Sequence, residues 1–339
     1  MFLVLIVTIA ISGSLSLLLS QARGPWTILD HPNERSLHTQ PIPRTGGIAI
    51  LLGIATGAVC LQFWTDHDMG GWPLYAAVVV LALIALSDDR HTLGAGLRLL
   101  VQIGVVAFLL FHYRPTNMGL LPMLITLLCL VWMINLYNFM DGMDGFAAGM
   151  AIIGFGTYAL LGWLAGQHEL AQGCAVLVAA CAGFLLFNFP PARLFMGDVG
   201  STVLGLLAGM VILKGHLEGI LPFWLGILVF SAFIVDASVT LARRILLREP
   251  FWKPHKSHYY QRLVESGWGH RRTVLAEYTL MLACSVSALF ATSLPAPGQW
   301  LILCLWAVAY VALIYLVNAT KLKPAPAQGS KEDKSNNRE

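Results

Sequence analysis

VWMINLYNFMDGMDGF, from Val131 to Phe146, begins as a lipid-compatible apolar segment and ends in two amides and two carboxylates. Asn135, Asn138, Asp141 and Asp144 follow one another at a spacing of three, hinged on Gly142 and Gly145. The residues before it, Leu120 to Met133, and those after it, Phe146 to Ala165, are almost wholly apolar. A simple turn between two membrane spans needs a glycine and one Asn or Asp. Two acids and two amides together point to a site built where two spans meet.

The composition sets that stretch in a membrane. Of 339 residues, 57% are hydrophobic and 12% charged, about half the charge of an ordinary soluble domain. Apolar runs of roughly 20 residues, the length of a lipid-crossing helix, recur along the chain. Eleven are expected: Phe2–Ser20, Thr45–Trp64, Trp72–Ser87, Leu97–Phe111, Leu120–Tyr137, Phe146–Ala165, Leu170–Phe187, Ser201–His216, Leu221–Leu241, Thr273–Ser293 and Gln299–Val317. The expected fold is therefore all-α, a polytopic integral membrane helical bundle of about eleven transmembrane helices. Residues 1–320 form one membrane domain. Residues 321–339 are polar, charged and Pro-containing, and read as a disordered cytoplasmic tail. The first span lacks a basic leader and reads as an uncleaved helix. The six cysteines lie inside apolar runs without a CxxC pair and read as small buried hydrophobes.

The connectors alternate in charge. One set carries Arg23, Arg35 and Arg44, then Arg90 and Arg98, Arg193, Arg243 through Arg272, and the Lys-containing tail. The other set carries only Arg114 and Lys214. Basic loops stay inside, so the N-terminus is expected on the periplasmic side and the C-terminus in the cytoplasm. The unusual polar stretches then all fall on the inner face: PRTGG (Pro43–Gly47), SDDR (Ser87–Arg90), NLYNFMDGMDG (Asn135–Gly145), FNFPPARLFMGDVGS (Phe187–Ser201) and KPHKSHYYQRL (Lys253–Leu263). Acids at a membrane edge are costly and mark function by default.

Each cluster also has an ordinary reading. Asp88 and Asp89 close a helix, where the macrodipole disfavours anions, so capping does not explain them. Asp141 and Asp144 suit Asp-Gly turns, though two in tandem after two Asn residues do not. Asp198 suits a helix N-cap, yet the glycines around it also suit close backbone approach to a ligand. His255 and His258, beside Lys253, Lys256 and Arg262, fit an anion cluster better than a zinc site. Asp236 either pairs with Arg243 or Arg244 or belongs to the site. Carboxylates and amide oxygens suit Mg²⁺, with Mn²⁺ as a substitute, and Lys, Arg and His suit phosphate oxygens. Phosphoryl transfer asks for positioning and charge neutralisation. The residues thus indicate Mg²⁺-dependent transfer between a nucleotide-linked donor and a membrane lipid phosphate.

The same stretches resemble the polyprenyl-phosphate N-acetylhexosamine-1-phosphate transferases, the MraY/WecA superfamily. The resemblance rests on the paired Asp88–Asp89, NxxNxxDGxDG at Asn135–Gly145, FNxPPAxxFMGDxGS at Phe187–Ser201, DxxxTLxRR at Asp236–Arg244, and a histidine-containing last loop. It implies a multi-pass enzyme of the bacterial cytoplasmic (inner) membrane with its active site on the cytoplasmic face. The implied reaction joins undecaprenyl phosphate and a UDP-N-acetylamino sugar, giving undecaprenyl-diphospho-sugar and UMP. Position by position, it implies catalytic roles for Asp88, Asp89 and Asp198. Asp198 and Asn138 become metal ligands. Substrate contacts fall to Thr45, Arg98, Asn135, Asp141, Asp144, Asn188, Phe195, His255, His258 and Arg262. Gln102 follows Arg98 where relatives face the lipid phosphate. The partners are these two substrates and the lipid bilayer, with a homodimer as the expected assembly and nucleic acid excluded. The loop HKSHYYQRL lacks the run of adjacent histidines of the muramyl-pentapeptide enzymes. It resembles the WbpL-like branch that starts O-antigen and related polysaccharides, and leaves GlcNAc, GalNAc, FucNAc and QuiNAc donors open. The alternative from another class is a secondary transporter with intramembrane acidic ion sites. The clustering of acids at one face and the lack of an internal repeat argue against it.

Overall fold

Lipid offers the backbone no hydrogen bonds, so long apolar segments must satisfy their own amides as helices. In the computed structural model, which describes residues 1–22, 28–32, 37, 40–65, 69–91, 93–114, 118–250 and 255–320, nearly every element is helical. The helices α1 (Phe2–Gln21), α2 (Gly46–Thr65), α3 (Gly71–His91), α4 (Ala95–Tyr113), α5 (Leu120–Met140), α6 (Phe146–Leu164), α7 (His168–Asn188) and α8 (Gly197–Leu217) come first. Then follow α9 (Phe223–Val229), α10 (Ser231–Leu246), the short α11 (Tyr259–Leu263), α12 (Gly269–Ala291) and α13 (Ala296–Ala319). A π-helical turn, Val264–Trp268, joins α11 to α12. Strands β1 (Leu29–Asp30) and β2 (Ile42–Pro43) pair antiparallel ahead of α2. The polar tail expected at 321–339 lies outside the described residues.

Among the described residues, ten helices are long and apolar enough to cross a membrane, and α9 with α10 makes the eleventh span if counted as one. The expected ninth span, Leu221–Leu241, is therefore not one straight helix: α9 and α10 meet at 85°. The bend contains no proline. Phe230 at the joint is fully buried, edge-on to Phe155 and stacked near Tyr158, so tertiary packing sets it. The third span also runs further than expected, to His91, which places Asp88 and Asp89 inside its last turn. All six cysteines are free, but only Cys174, Cys181 and Cys284 are buried, and Cys304 is exposed.

Helix α8 is the axis of the bundle, with nearly every residue from Val199 to Gly215 buried. Helix α13 is peripheral; only Gln299 and Tyr310 along it are buried. The start of α2 docks against the start of α8 by main chain. Gly46 N–H donates to Phe195 O (2.9 Å), Gly47 N–H to Met196 O (2.7 Å) and Phe195 N–H to Pro43 O (2.8 Å). A Cβ on Gly47 would collide with the backbone nitrogen of Gly200, so only glycine permits this approach. Between α2 and α3, which both pack on α8, lies an apolar crevice of about 730 Å³ lined by residues such as Leu51, Val78, Ala82 and Leu207. The acids and arginines of the inner-face clusters do not line it.

Candidate active site

The five polar stretches converge at one end of the bundle. Arg44, just before α2, pairs with Asp89 at the end of α3. Its guanidinium also lies 3.6 Å from Asp198 in the first turn of α8. Arg98, in the first turns of α4, pairs with Asp88 at 2.6 Å and lies 3.7 Å from Asp198. Asp88 further accepts the Leu93 N–H at 2.6 Å. Two arginines thus bridge three carboxylates. They offset the repulsion among the acids and the unfavourable placement of Asp88 and Asp89 at a helix C-terminus. Burial works against the Arg44 charge, but Asp89, Asp198 and Asp30 outweigh it and hold the group above its usual value.

Accessibility divides the acids. The Asp89 side chain is 1% exposed and that of Asp198 is 25% exposed. Asp198 is therefore the carboxylate that an incoming ligand meets. It does not serve as the N-cap, which falls on Met196; its Oδ1 instead accepts from the Asn138 side-chain amide at 3.1 Å. That amide also donates to Ser201 Oγ at 3.0 Å. Asn138 and Asp198, paired by the resemblance, stand side by side.

The turn between α5 and α6 closes one flank. Asp141 lies there, and burial first, then the nearby Asp198, pushes its carboxyl well above the usual range. Asp144 accepts the Ala192 N–H at 3.0 Å and faces His270 Nδ1 at 3.0 Å. Asn188 takes the Gly145 N–H at 2.9 Å and donates to Leu194 O at 2.9 Å. Asp144 and Asn188 thereby tie the turn to the Phe189–Met196 loop, and that loop places Phe195 beside α2. Gly145, with φ +74°, begins α6 in a left-handed conformation that favours glycine. Thr45 is buried at the head of α2. Asn135 faces α4, where its amide donates to Gln102 Oε1 at 2.6 Å.

The histidine loop closes the other flank. Tyr260 O–H donates to Phe139 O at 3.3 Å, which seats α11 on the end of α5. The rings of His255 and His258 lie 5.0 Å apart, and Ser257 Oγ is 2.8 Å from His255 Nδ1. Burial, then His258 and Arg244, lowers His255 to about 4, so this imidazole is neutral at physiological pH. Asp236 faces this loop. It does not pair with Arg243 or Arg244, and Arg244 instead meets Glu249 at 2.8 Å. Arg262 turns away from the acids: its guanidinium lies over Tyr259 and bonds Asn318 at the end of α13. Lys253 lies outside the described residues.

Two residues gain importance that the sequence did not signal. Arg44 reads there as one more inner-face basic residue, yet it links Asp89 to Asp198. His270 reads as part of a basic loop, yet it supports Asp144. No group of three or more His, Cys, Asp or Glu among the described residues forms a ready-made metal cage. The oxygen donors of Asp198, Asn138 and Asp88 suit Mg²⁺ all the same. That ion is held by one or two carboxylates and completes its shell with water and substrate phosphates.

Fold and site define a polytopic membrane protein with an arginine-bridged acidic centre at one end of its bundle. The sequence pattern of glycosyl transferase family 4 matches residues 72–216, which contain Asp88, Asp89, the Asn135–Gly145 stretch and Asp198. A Bacillus subtilis protein described as a probable undecaprenyl-phosphate N-acetylglucosaminyl 1-phosphate transferase is 31% identical over 279 residues, 78% of this chain and 77% of its own length. A Mycolicibacterium smegmatis decaprenyl-phosphate N-acetylglucosaminephosphotransferase is 30% identical over 343 residues, 88% of this chain and 83% of its own. A Geobacillus phospho-N-acetylmuramoyl-pentapeptide-transferase is 29% identical over 276 residues, covering 73% and 83%. The chain belongs to glycosyl transferase family 4, as an integral membrane transferase.

Proposed function

We propose that the protein transfers an N-acetylamino-sugar 1-phosphate, of the N-acetylglucosamine type, from a UDP-sugar to undecaprenyl phosphate. The products are undecaprenyl-diphospho-sugar and UMP. The observation that carries this reading is the centre itself: Arg44 and Arg98 bridge Asp88, Asp89 and Asp198 at the bundle's end, with Asp198 left accessible. Such a centre suits reactants that each bring phosphate charge. The donor and acceptor are supported by the names of the Bacillus and Mycolicibacterium relatives. The HKSHYYQ loop, without a run of adjacent histidines, favours a surface polysaccharide such as O-antigen over peptidoglycan, and a WbpL-like relationship within the family. Charge asymmetry of the loops supports a cytoplasmic active face in the bacterial inner membrane.

The chemistry follows from charge. A phosphate monoester has a second pKa near 6, so the lipid phosphate is mostly dianionic at neutral pH and needs little help from a base. Its obstacle is repulsion from the donor pyrophosphate. Arg44 and Arg98, already shared with three acids, offset part of that charge, and Asp88, held by Arg98 and the Leu93 N–H, orients the acceptor through a shared proton. A lipid phosphate oxygen bonds to the β-phosphorus of the donor, the bond from that phosphorus to the bridging oxygen breaks, and UMP carries the electron pair away. Mg²⁺ at Asp198 and Asn138 would supply further neutralisation of phosphate charge.

Purified protein given undecaprenyl phosphate and a panel of UDP-N-acetylamino sugars should release UMP with at least one of them. EDTA should stop the release, and Mg²⁺ or Mn²⁺ should restore it. Uptake of UDP-sugar into sealed vesicles without lipid-linked product would instead support transport and overturn the proposal.

A further inference from the structure

Asp236 is an acid within a membrane-spanning segment, yet it takes no part in the acidic centre. Such a group is expensive unless its oxygens are used, and here both are. Oδ1 accepts the Tyr259 N–H at 3.0 Å and the Thr240 hydroxyl at 3.1 Å, and lies 3.2 Å from His258 Nδ1. Oδ2 accepts the Tyr260 N–H at 3.0 Å. The carboxylate therefore sets both where α11 begins and which way the His258 ring points. With Nδ1 directed at Asp236, Nε2 is on the side of the ring away from that carboxylate. The ring is held on its faces as well, stacked near Tyr260 at 5.8 Å and Phe139 at 6.4 Å.

Asp236 does not act alone. Thr240 and Arg244 follow at intervals of four, so the three share one face of α10. Arg244 donates to Pro250 O at 3.0 Å and lies 3.4 Å from Ser257 Oγ. One stripe thus grips the loop on both sides of His255. The 85° break after α9 re-aims α10, and so sets where this stripe points.

We propose that Asp236 is a positioning residue for the transfer reaction, acting through His258. With Thr240 and Arg244 it holds the histidine loop against the end of α5, which carries Asn138, and the turn after it, which carries Asp141. The kinetic part of this inference rests on the transferase reading; the structural part does not.

The test uses the full-length protein in lipid nanodiscs, with Asp236→Ala, Asp236→Asn, His258→Ala and the Asp236→Ala/His258→Ala double variant. Hydrogen exchange reads the loop directly. Asp236→Ala should speed exchange of the Tyr259 and Tyr260 amides by at least ~10-fold while peptides from α3 and α8 stay as in the wild type. In steady-state transfer, Asp236→Ala should raise KM for the UDP-sugar at least ~10-fold with a smaller fall in kcat, the pattern of a lost binding contact. The double variant should lose less than the product of the two single losses, because the two side chains share one contact. Asp236→Asn keeps the side-chain volume and one acceptor oxygen, and should fall between wild type and alanine. It is the deciding variant if the alanine protein is not recovered folded. Unchanged loop exchange in Asp236→Asn and Asp236→Ala overturns the proposal, as do kinetic losses that multiply in the double variant. If the wild type releases no UMP from any donor, the functional reading fails, and the exchange measurement still decides whether Asp236 holds the loop.

Discussion

Arg44 forms its ion pair with Asp89, whose side chain is 1% exposed, so the arginine partners a carboxylate that water scarcely reaches. Removing one partner of such a pair strands the other. Arg44→Ala should abolish transfer and lower stability by the low end of ~3–5 kcal/mol, since Arg44 itself is partly exposed. The midpoint of thermal unfolding in detergent measures this. Arg44→Met/Asp89→Leu should recover most of the midpoint, because the charge leaves with its partner. A double variant no more stable than Arg44→Ala would sink this account.

Asp198 is the reverse case. Its carboxylate is a quarter exposed and its contacts to Arg44 and Arg98 are long. Asp198→Asn should lower UMP release by at least ~100-fold, the scale of losing one preorganised electrostatic group, while leaving the unfolding midpoint near wild type. Substantial remaining Mg²⁺-dependent activity would remove Asp198 from the centre of the mechanism.

His255 predicts a pH dependence of stability. Its folded value of about 4 lies below the ordinary imidazole value of 6.5, with burial, His258 and Arg244 lowering it and Asp236 opposing them. Between these two values the unfolded chain binds a proton that the folded chain refuses, so stability falls as pH drops from 6.5 toward 4. After allowing for solvent screening of a half-buried ring, the contribution is on the order of 1 kcal/mol. Unfolding midpoints of wild type and His255→Gln at pH 7 and pH 4.5 test this. The variant should lose less stability on acidification, and parallel losses would refute it.

Gly47 meets the backbone of Gly200. Gly47→Val should separate α2 from α8, cost at least the ~1–3 kcal/mol of an overpacked contact, and reduce transfer through displaced Arg44 and Phe195. Unfolding midpoint and UMP release, read together, should both fall. A stable, active valine variant would show that the helices tolerate a wider spacing.

The inward face can be assigned with single cysteines in a cysteine-free background. Gly267→Cys should react with a membrane-impermeant maleimide only from the cytoplasmic side, and Gln167→Cys, between α6 and α7, only from outside. The opposite labelling would place the acidic centre on the wrong face for a cytoplasmic nucleotide.

Much of this architecture is legible in the sequence because lipid imposes a simple rule on length and apolarity. The spans were countable for that reason, and Asp88, Asp89, Asn138, Asp141 and Asp198 stood out because acids and amides beside such spans are costly. Other relationships depend on three-dimensional proximity that no pattern encodes. The bend at Phe230 interrupts an apolar run without proline, and the helix is broken by packing alone. Arg44 looks like any inner-face arginine until α2 and α8 bring it between two acids. Asp236 has two arginines within two helical turns, yet the loop's amides claim its oxygens. Arg262 sits in a basic cluster by sequence, but Asn318, 56 residues away, receives it.

The glycine contact between α2 and α8 also bears on how the protein lives with different lipids. Spans longer than the local hydrocarbon thickness tilt to fit it. Here two of them are joined at one end by main-chain hydrogen bonds and touching backbones, so that end behaves as a fulcrum. Tilting of α2 about that contact would move its far end relative to the buried α8 and leave the separation of Arg44 from Asp198 almost unchanged. A thin and a thick bilayer would then present the same acidic centre to the water, with the difference in thickness absorbed at the opposite face.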